Sequence, residues 1–177
     1  SIVKYEFNKH KIKISNGDIC TPEIVWANSY DGTVGLNIIA GAFRLVCTNG
    51  MVIGVVAEKY KNKHIIQNMK LEDIEGVIEE TIKKTKMIMK NEFPIIYDTK
   101  VKDSHVLDIL KMFPLQSSDY ITNLLLAENP KNLWDLLNVA TNVATHGMNR
   151  KAEATHKLEA KIYAKICKMA KVHIAHA

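Results

Sequence analysis

The chain has 177 residues, 47% hydrophobic and 24% charged, enough apolar material for one core and too little charge for general disorder. A formal net charge of +5 and a pI near 9.0 bias it toward anionic partners, of which nucleic acid is the commonest. Its three cysteines, Cys20, Cys47 and Cys167, are scattered without a CxxC, which excludes a disulfide framework and a zinc site and fits a reducing cytoplasm. No apolar run approaches the roughly 20 residues of a membrane span, and no signal peptide is expected. The chain begins at Ser1 rather than Met, so sequence beyond either end is expected.

In chain order, Val3, Tyr5 and Phe7 alternate with Lys4 and Glu6, and Ile12 and Ile14 alternate with Lys11 and Lys13. Period two predicts two half-buried strands. Ser15-Asn16-Gly17-Asp18 is a loop. The run 28–54, NSYDGTVGLNIIAGAFRLVCTNGMVIG, holds Asp31-Gly32 and Asn49-Gly50 between β-prone flanks. Such dipeptides favour two-residue hairpin turns, because both central residues need φ > 0. The expected strands are therefore 23–30, 33–39, 43–48 and 51–57, joined as consecutive hairpins. In that register Tyr30 faces Thr33, Trp26 faces Asn37, Phe43 opposes Val56 and Arg44 opposes Val55. Arg44 then shares an apolar strand face with Val46, Ile53 and Val55, and needs a carboxylate, carbonyls or a phosphate as partner. In EKYKNKH, an extended chain puts Lys59, Lys61 and Lys63 on one side and Tyr60 on the other. That pattern suits a groove that tracks a nucleic-acid backbone, or an edge strand guarded by lysines.

From Leu71 the period changes to three and four, predicting an amphipathic helix to about Glu92 that Pro94 stops. It reads as a structural helix, with i,i+4 pairs Glu79–Lys83 and Glu80–Lys84. Residues 95–101 read as a short strand. Helices follow from about Asp103 to Phe113 and from Ser117 or Ser118 to before Pro130. Another runs from Asn129 or Asn132 to Gly147, a left-handed cap. The segment 150–177 lacks Gly and Pro and reads as a long amphipathic helix. Arg150, Lys157, Lys161, Lys165, Lys168 and Lys171 fall on one stripe, opposite Leu158, Ile162, Tyr163, Ile166, Met169 and Ala170. The stripe is either a phosphate-binding face or a solvated one. The expected architecture is a single α+β domain over 1–177. An antiparallel meander of five to six strands (1–66) precedes four to five helices (67–177), which cover one sheet face. The basic helix flanks the other face or projects.

The runs NSYDG and AGAFRLVCTNGMVIG, the basic stretch ending KNKH, and Trp134, Asn138, Thr141 and His146 within LWDLLNVATNVATHG carry a resemblance. Together they resemble domain of unknown function 932, a family common in phage and plasmid genomes. The resemblance covers about half of the chain. It implies a mobile-element origin and DNA metabolism, and no established chemistry. For Trp134 and His146 themselves, core packing or a helix-end contact is the expected role, ahead of ligand contact.

No phosphate loop, dinucleotide fingerprint, HExxH or GxSxG occurs, and no carboxylates cluster as a two-metal nuclease would need. Asp18, Glu23 and Asp31 read as turn or strand-end residues. The expected class is thus a binding protein rather than an enzyme, with no metal and no cofactor. The leading expectation is sequence-independent binding of single-stranded DNA in phage replication or recombination, in the host cytoplasm. Arg44 and the lysines would neutralise phosphates, and Trp26, Tyr30 and Tyr60 would stack on bases. Self-association or contact with phage replication proteins would accompany it, and no membrane contact is expected. The alternative is a protein-binding module of a mobile element that inhibits a host defence or replication factor.

Overall fold

The computed structural model describes residues 2–14, 18–27, 37–44, 49–57 and 71–172. Among these residues five strands form one antiparallel sheet: β1 (Ile2–Glu6), β2 (Ile12–Lys13), β3 (Ile19–Ala27), β4 (Asn37–Arg44) and β5 (Asn49–Ala57). Six described α-helices follow: α1 (Leu71–Asn91), α2 (Phe93–Asp98), α3 (Asp103–Leu110), α4 (Ser118–Glu128), α5 (Leu133–His146) and α6 (Ala152–Met169).

The expected five-to-six-stranded meander is not what the chain forms. Among the described residues the helices hold more than twice as many residues as the strands. The strand order is β1-β3-β4-β5, with β2 also on β3, so β1 is paired with β3 and not with its neighbour in sequence. The expected strands 33–39 and 43–48 give way to one, because Ala40-Gly41-Ala42 runs straight through its pairing with Ile24, Glu23 and Pro22. The cost of that glycine appears on the other side, where the register against β5 shifts between Ile39 and Gly41.

The turn at Asn49-Gly50 is also corrected. Both residues are inside β5, Asn49 opposite Arg44 and Gly50 opposite Phe43. Trp26 lies opposite Ile38 rather than Asn37, one residue out of the expected register. A one-residue slip exchanges the two faces of a strand, so turn chemistry alone did not fix which side chains share a face. The Asp31-Gly32 turn lies outside the described residues.

Pro22 explains the split between β1 and β2. β1 pairs with Glu23–Ala27 and β2 with Ile19 and Cys20, so Pro22 stands in the gap, where its missing N–H costs no ladder bond on that side. Its carbonyl accepts the Phe7 N–H at 3.0 Å, and the chain makes a short 3-10 turn over Asn8–His10 before β2. This places His10 over the first helix.

The helix reading from Leu71 is close to the observed α1. Pro94 ends that helix and also starts the next, since proline fits the first turn, and so 93–98 is helix α2 rather than a strand. Lys100 makes a lone bridge to Asn132. Asn129 ends α4 in the left-handed region at φ 42°. Asn132 caps α5, its Oδ1 accepting the Asp135 N–H at 2.8 Å. Gly147 ends α5 without the expected left-handed turn, at φ −87°. Glycine is needed there for space: a Cβ would lie 2.6 Å from Tyr120 Cδ1.

The core is built on α2, α5 and α6 and reaches the sheet through Ile14 and Cys20. Trp134 is fully buried and packs on Phe93 at a ring separation of 4.7 Å. Leu158, Ile162, Tyr163 and Ile166 turn α6 into this core, against α3, α5 and β5, so the helix does not project. At the centre, buried Glu92 follows α1 and accepts the Tyr163 hydroxyl, with Cys167 Sγ 3.8 Å away. Burial, with the carboxylate beside it, holds the Tyr163 hydroxyl firmly protonated. Burial likewise pushes the Cys167 thiol up to about 12, which makes it a packing group rather than a nucleophile.

Candidate nucleic-acid interface

The sequence-predicted residues do not converge on one described surface. Trp26 sits within β3 between Val3 and Ile38, and Arg44 ends β4 between Cys20 and Asn49. The expected pairing of Arg44 with Val55 is therefore corrected to Asn49. Tyr30, Lys59, Tyr60, Lys61 and Lys63 lie outside the described residues.

The α6 stripe is present in part. Lys157, Lys161 and Lys168 are exposed, and Arg150 is exposed ahead of the helix start. Lys165 is committed elsewhere: its Nζ is 2.8 Å from Asp108 Oδ2 on α3. The hydrogen bond and charge of Lys165, with Lys111 adding a little, hold the Asp108 carboxyl below its ordinary range. Asp108 thus masks the middle of the stripe.

A second basic surface lies on α1, the helix that its sequence marked as structural. Thr81, Thr85, Ile88 and Met89 are its buried side, and the Thr85 hydroxyl donates to the Thr81 carbonyl at 2.8 Å. The outer side carries Lys83, Lys86 and Lys90, spaced three and four apart and so on one face. With His10, Ile82 and Met87 they line a groove of about 450 Å³. Lys86 Nζ donates to His10 Nδ1 at 3.3 Å, which ties the turn after β1 to the helix. The floor is apolar, with Met87 half exposed. Glu79 stands at one end, while Glu80 is paired with Lys84 at 2.7 Å, which lowers the Glu80 pKa through that hydrogen bond. The arrangement can hold an anionic group on ammonium donors and an apolar or aromatic group on the floor. The spacing of Lys83, Lys86 and Lys90 was the sequence signal for it, whereas the contribution of His10 depends on a contact 76 residues apart in the chain.

The residues that carry the resemblance are structural where they are described. Trp134 Nε1 donates to Asp18 Oδ2 at 2.9 Å, so Asp18 anchors the loop before β3 to α5. Asn138 donates to the Trp134 carbonyl at 2.7 Å and Thr141 to the Leu137 carbonyl at 2.9 Å. His146 is exposed at the end of α5. Among the described residues no group of three or more His, Cys, Asp or Glu is placed to hold a metal ion, and no helix is long and apolar enough to cross a membrane.

Comparison with known proteins agrees with the resemblance. Two Escherichia coli K12 proteins, the UPF0380 proteins YfjQ and YafZ, are each 40% identical to the chain over 53 residues. That stretch is 28% of this chain and 19% of each relative, so the match spans about a fifth of their length. No solved structure matches. The model of the family described as "Domain of unknown function (DUF932)" matches residues 4–165, and the chain belongs to that family.

Proposed function

We propose that this chain binds single-stranded DNA without sequence preference, in the cytoplasm, in the replication or recombination of a mobile element. One observation carries the reading: three lysines and His10 frame a groove whose floor is apolar. A duplex keeps its base faces stacked and out of reach of such a floor. A single strand offers phosphates to Lys83, Lys86 and Lys90 and an unstacked base to Ile82 and Met87, so the groove favours the single strand. Lys157, Lys161, Lys168 and Arg150 form a secondary basic surface that extends contact along the strand. Arg44, the aromatics Trp26, Tyr30 and Tyr60 and the lysines 59, 61 and 63 remain part of the proposal as further contacts. Self-association would add an annealing role.

The test is a titration of a fluorescent single-stranded oligonucleotide at low and high salt, with duplex DNA beside it. Single-strand preference and a log–log salt slope of about −0.7 per phosphate contacted are expected. No binding at low salt sinks the reading.

The exposed leucines Leu107, Leu115 and Leu126 favour a second reading, a protein-binding module that inhibits a host defence or replication factor. Its mark is salt-tolerant binding to a protein.

A further inference from the structure

A slot between α4 and α5 has a chemistry unlike that of the α1 groove. Leu124 of α4 and Val139 of α5 contribute aliphatic side chains to its lining, and it holds about 320 Å³. That volume is within the roughly 300–1,000 Å³ of small-molecule clefts. Its polar groups are not predominantly basic: Glu128 and Asp135 stand against Lys131. Two carboxylates to one ammonium oppose a phosphate.

Two polar side chains of the slot, Asp135 and Asn142, are hydrogen-bonded before any ligand arrives. The Lys131 backbone N–H donates to Asp135 Oδ2 at 3.0 Å, and Asn132 Oδ1 accepts the Asp135 N–H. The Tyr120 hydroxyl donates to Asn142 Oδ1 at 3.3 Å, which leaves the Asn142 NH2 as a donor. Tyr120 is itself seated against Gly147, where any side chain would displace its ring, and it stays 43% exposed. The slot therefore combines aliphatic side chains from two helices with the hydrogen-bonded Asn142 amide and Asp135 carboxylate.

A flat, uncharged heterocycle with donors and acceptors on its edge satisfies all of these at once. In such a slot its faces would meet Leu124 and Val139, and its edge Asn142 and the carboxylates. Asparagine pairs with the donor and acceptor edge of adenine, and carboxylates accept from the exocyclic amine of cytosine. We infer that the α4–α5 slot is a nucleobase-binding site, taking an unstacked base from a strand or as a free nucleoside. It needs no phosphate contact and so stands independently of the α1 groove.

The experiment is a titration of the full chain with deoxyadenosine, deoxycytidine, deoxyguanosine and thymidine separately. Binding is followed by NMR through the side-chain amides of Asn129 and Asn142 and the methyl groups of Leu124 and Val139. At least one nucleoside should give saturable shifts at these groups, weakened about fivefold or more in Asn142→Ala. Leu124→Trp, which fills the slot from its less buried side, should abolish them and serves if Asn142→Ala fails to fold. Lys83→Glu/Lys86→Glu should leave them intact while weakening strand binding, so this site and the α1 groove fail separately. An oligonucleotide that displaces the nucleoside identifies a strand base as the ligand, and one that does not identifies the free nucleoside; either result supports the site. No saturable shift with any nucleoside, or shifts that survive both slot variants, overturns it.

Discussion

Helices α1 and α6 are both amphipathic, both carry a row of lysines, and both end on the same buried cluster of Glu92, Tyr163 and Cys167. They differ in what surrounds the lysines. On α6 one lysine is taken by Asp108, and the exposed ones lie along an open helix surface. On α1 the lysines meet His10 from another element and enclose an apolar floor. The basic stripe read from the sequence points to α6; the arrangement in space points to α1. What makes a basic helix into a binding surface is a second element that turns a row into a groove.

That contrast can be broken most directly by reversing Lys83, Lys86 and Lys90 to Glu. Single-strand affinity should drop on the order of 100-fold near 0.1 M salt, and the salt slope should fall by about 2. Anisotropy titrations at several salt concentrations measure both, and an unchanged slope removes α1 from the interface. Tyr163→Phe tests the joint between the two helices. It deprives the buried Glu92 of its hydroxyl donor and should cost about 1–3 kcal/mol in urea unfolding, with DNA affinity unchanged. If affinity falls with stability, the two surfaces are not independent. Reversal of Lys157, Lys161 and Lys168 to Glu should weaken binding less than about tenfold. A loss equal to that of the α1 variant would return the primary role to α6.

The smallest effect is expected of Asp108→Asn, which releases Lys165 and should raise affinity slightly in the same assay; a decrease would mean that the pair orders the surface rather than masking it. The ion pair also carries a pH signature. Because Lys165 depresses the Asp108 pKa, the pair is intact above the ordinary carboxylate value near 4 and is lost as pH falls through the lowered value. The side-chain NMR shifts of Lys165 should stay level from pH 7 to 5 and move only in stronger acid.

Local periodicity revealed α1, α5 and the buried side of α6, because a helix shows its core face within two turns of sequence. It failed wherever the deciding partner is distant. Phe93–Asp98 has strand-like residues, yet Pro94 at a helix start and the burial of Phe93 and Ile96 in the core make it helical. Ala40-Gly41-Ala42 resembles a break until β3 pairs across it. Asn49-Gly50 has strong turn chemistry, and the β4–β5 ladder absorbs it. In the candidate site, the three lysines of α1 were readable and their groove was not, since His10 reaches Lys86 from a turn 76 residues away in the chain.

The hydrogen bond from Trp134 to Asp18 joins residues 116 apart in the sequence. Closing a loop of that span costs entropy that nearby contacts cannot repay early, so this contact belongs to a late step of folding. The ring of Trp134, packed on Phe93 and bonded to Asp18, then reports on both events: in a Trp26→Phe background its fluorescence should change when the helical core buries it and again when Asp18 docks.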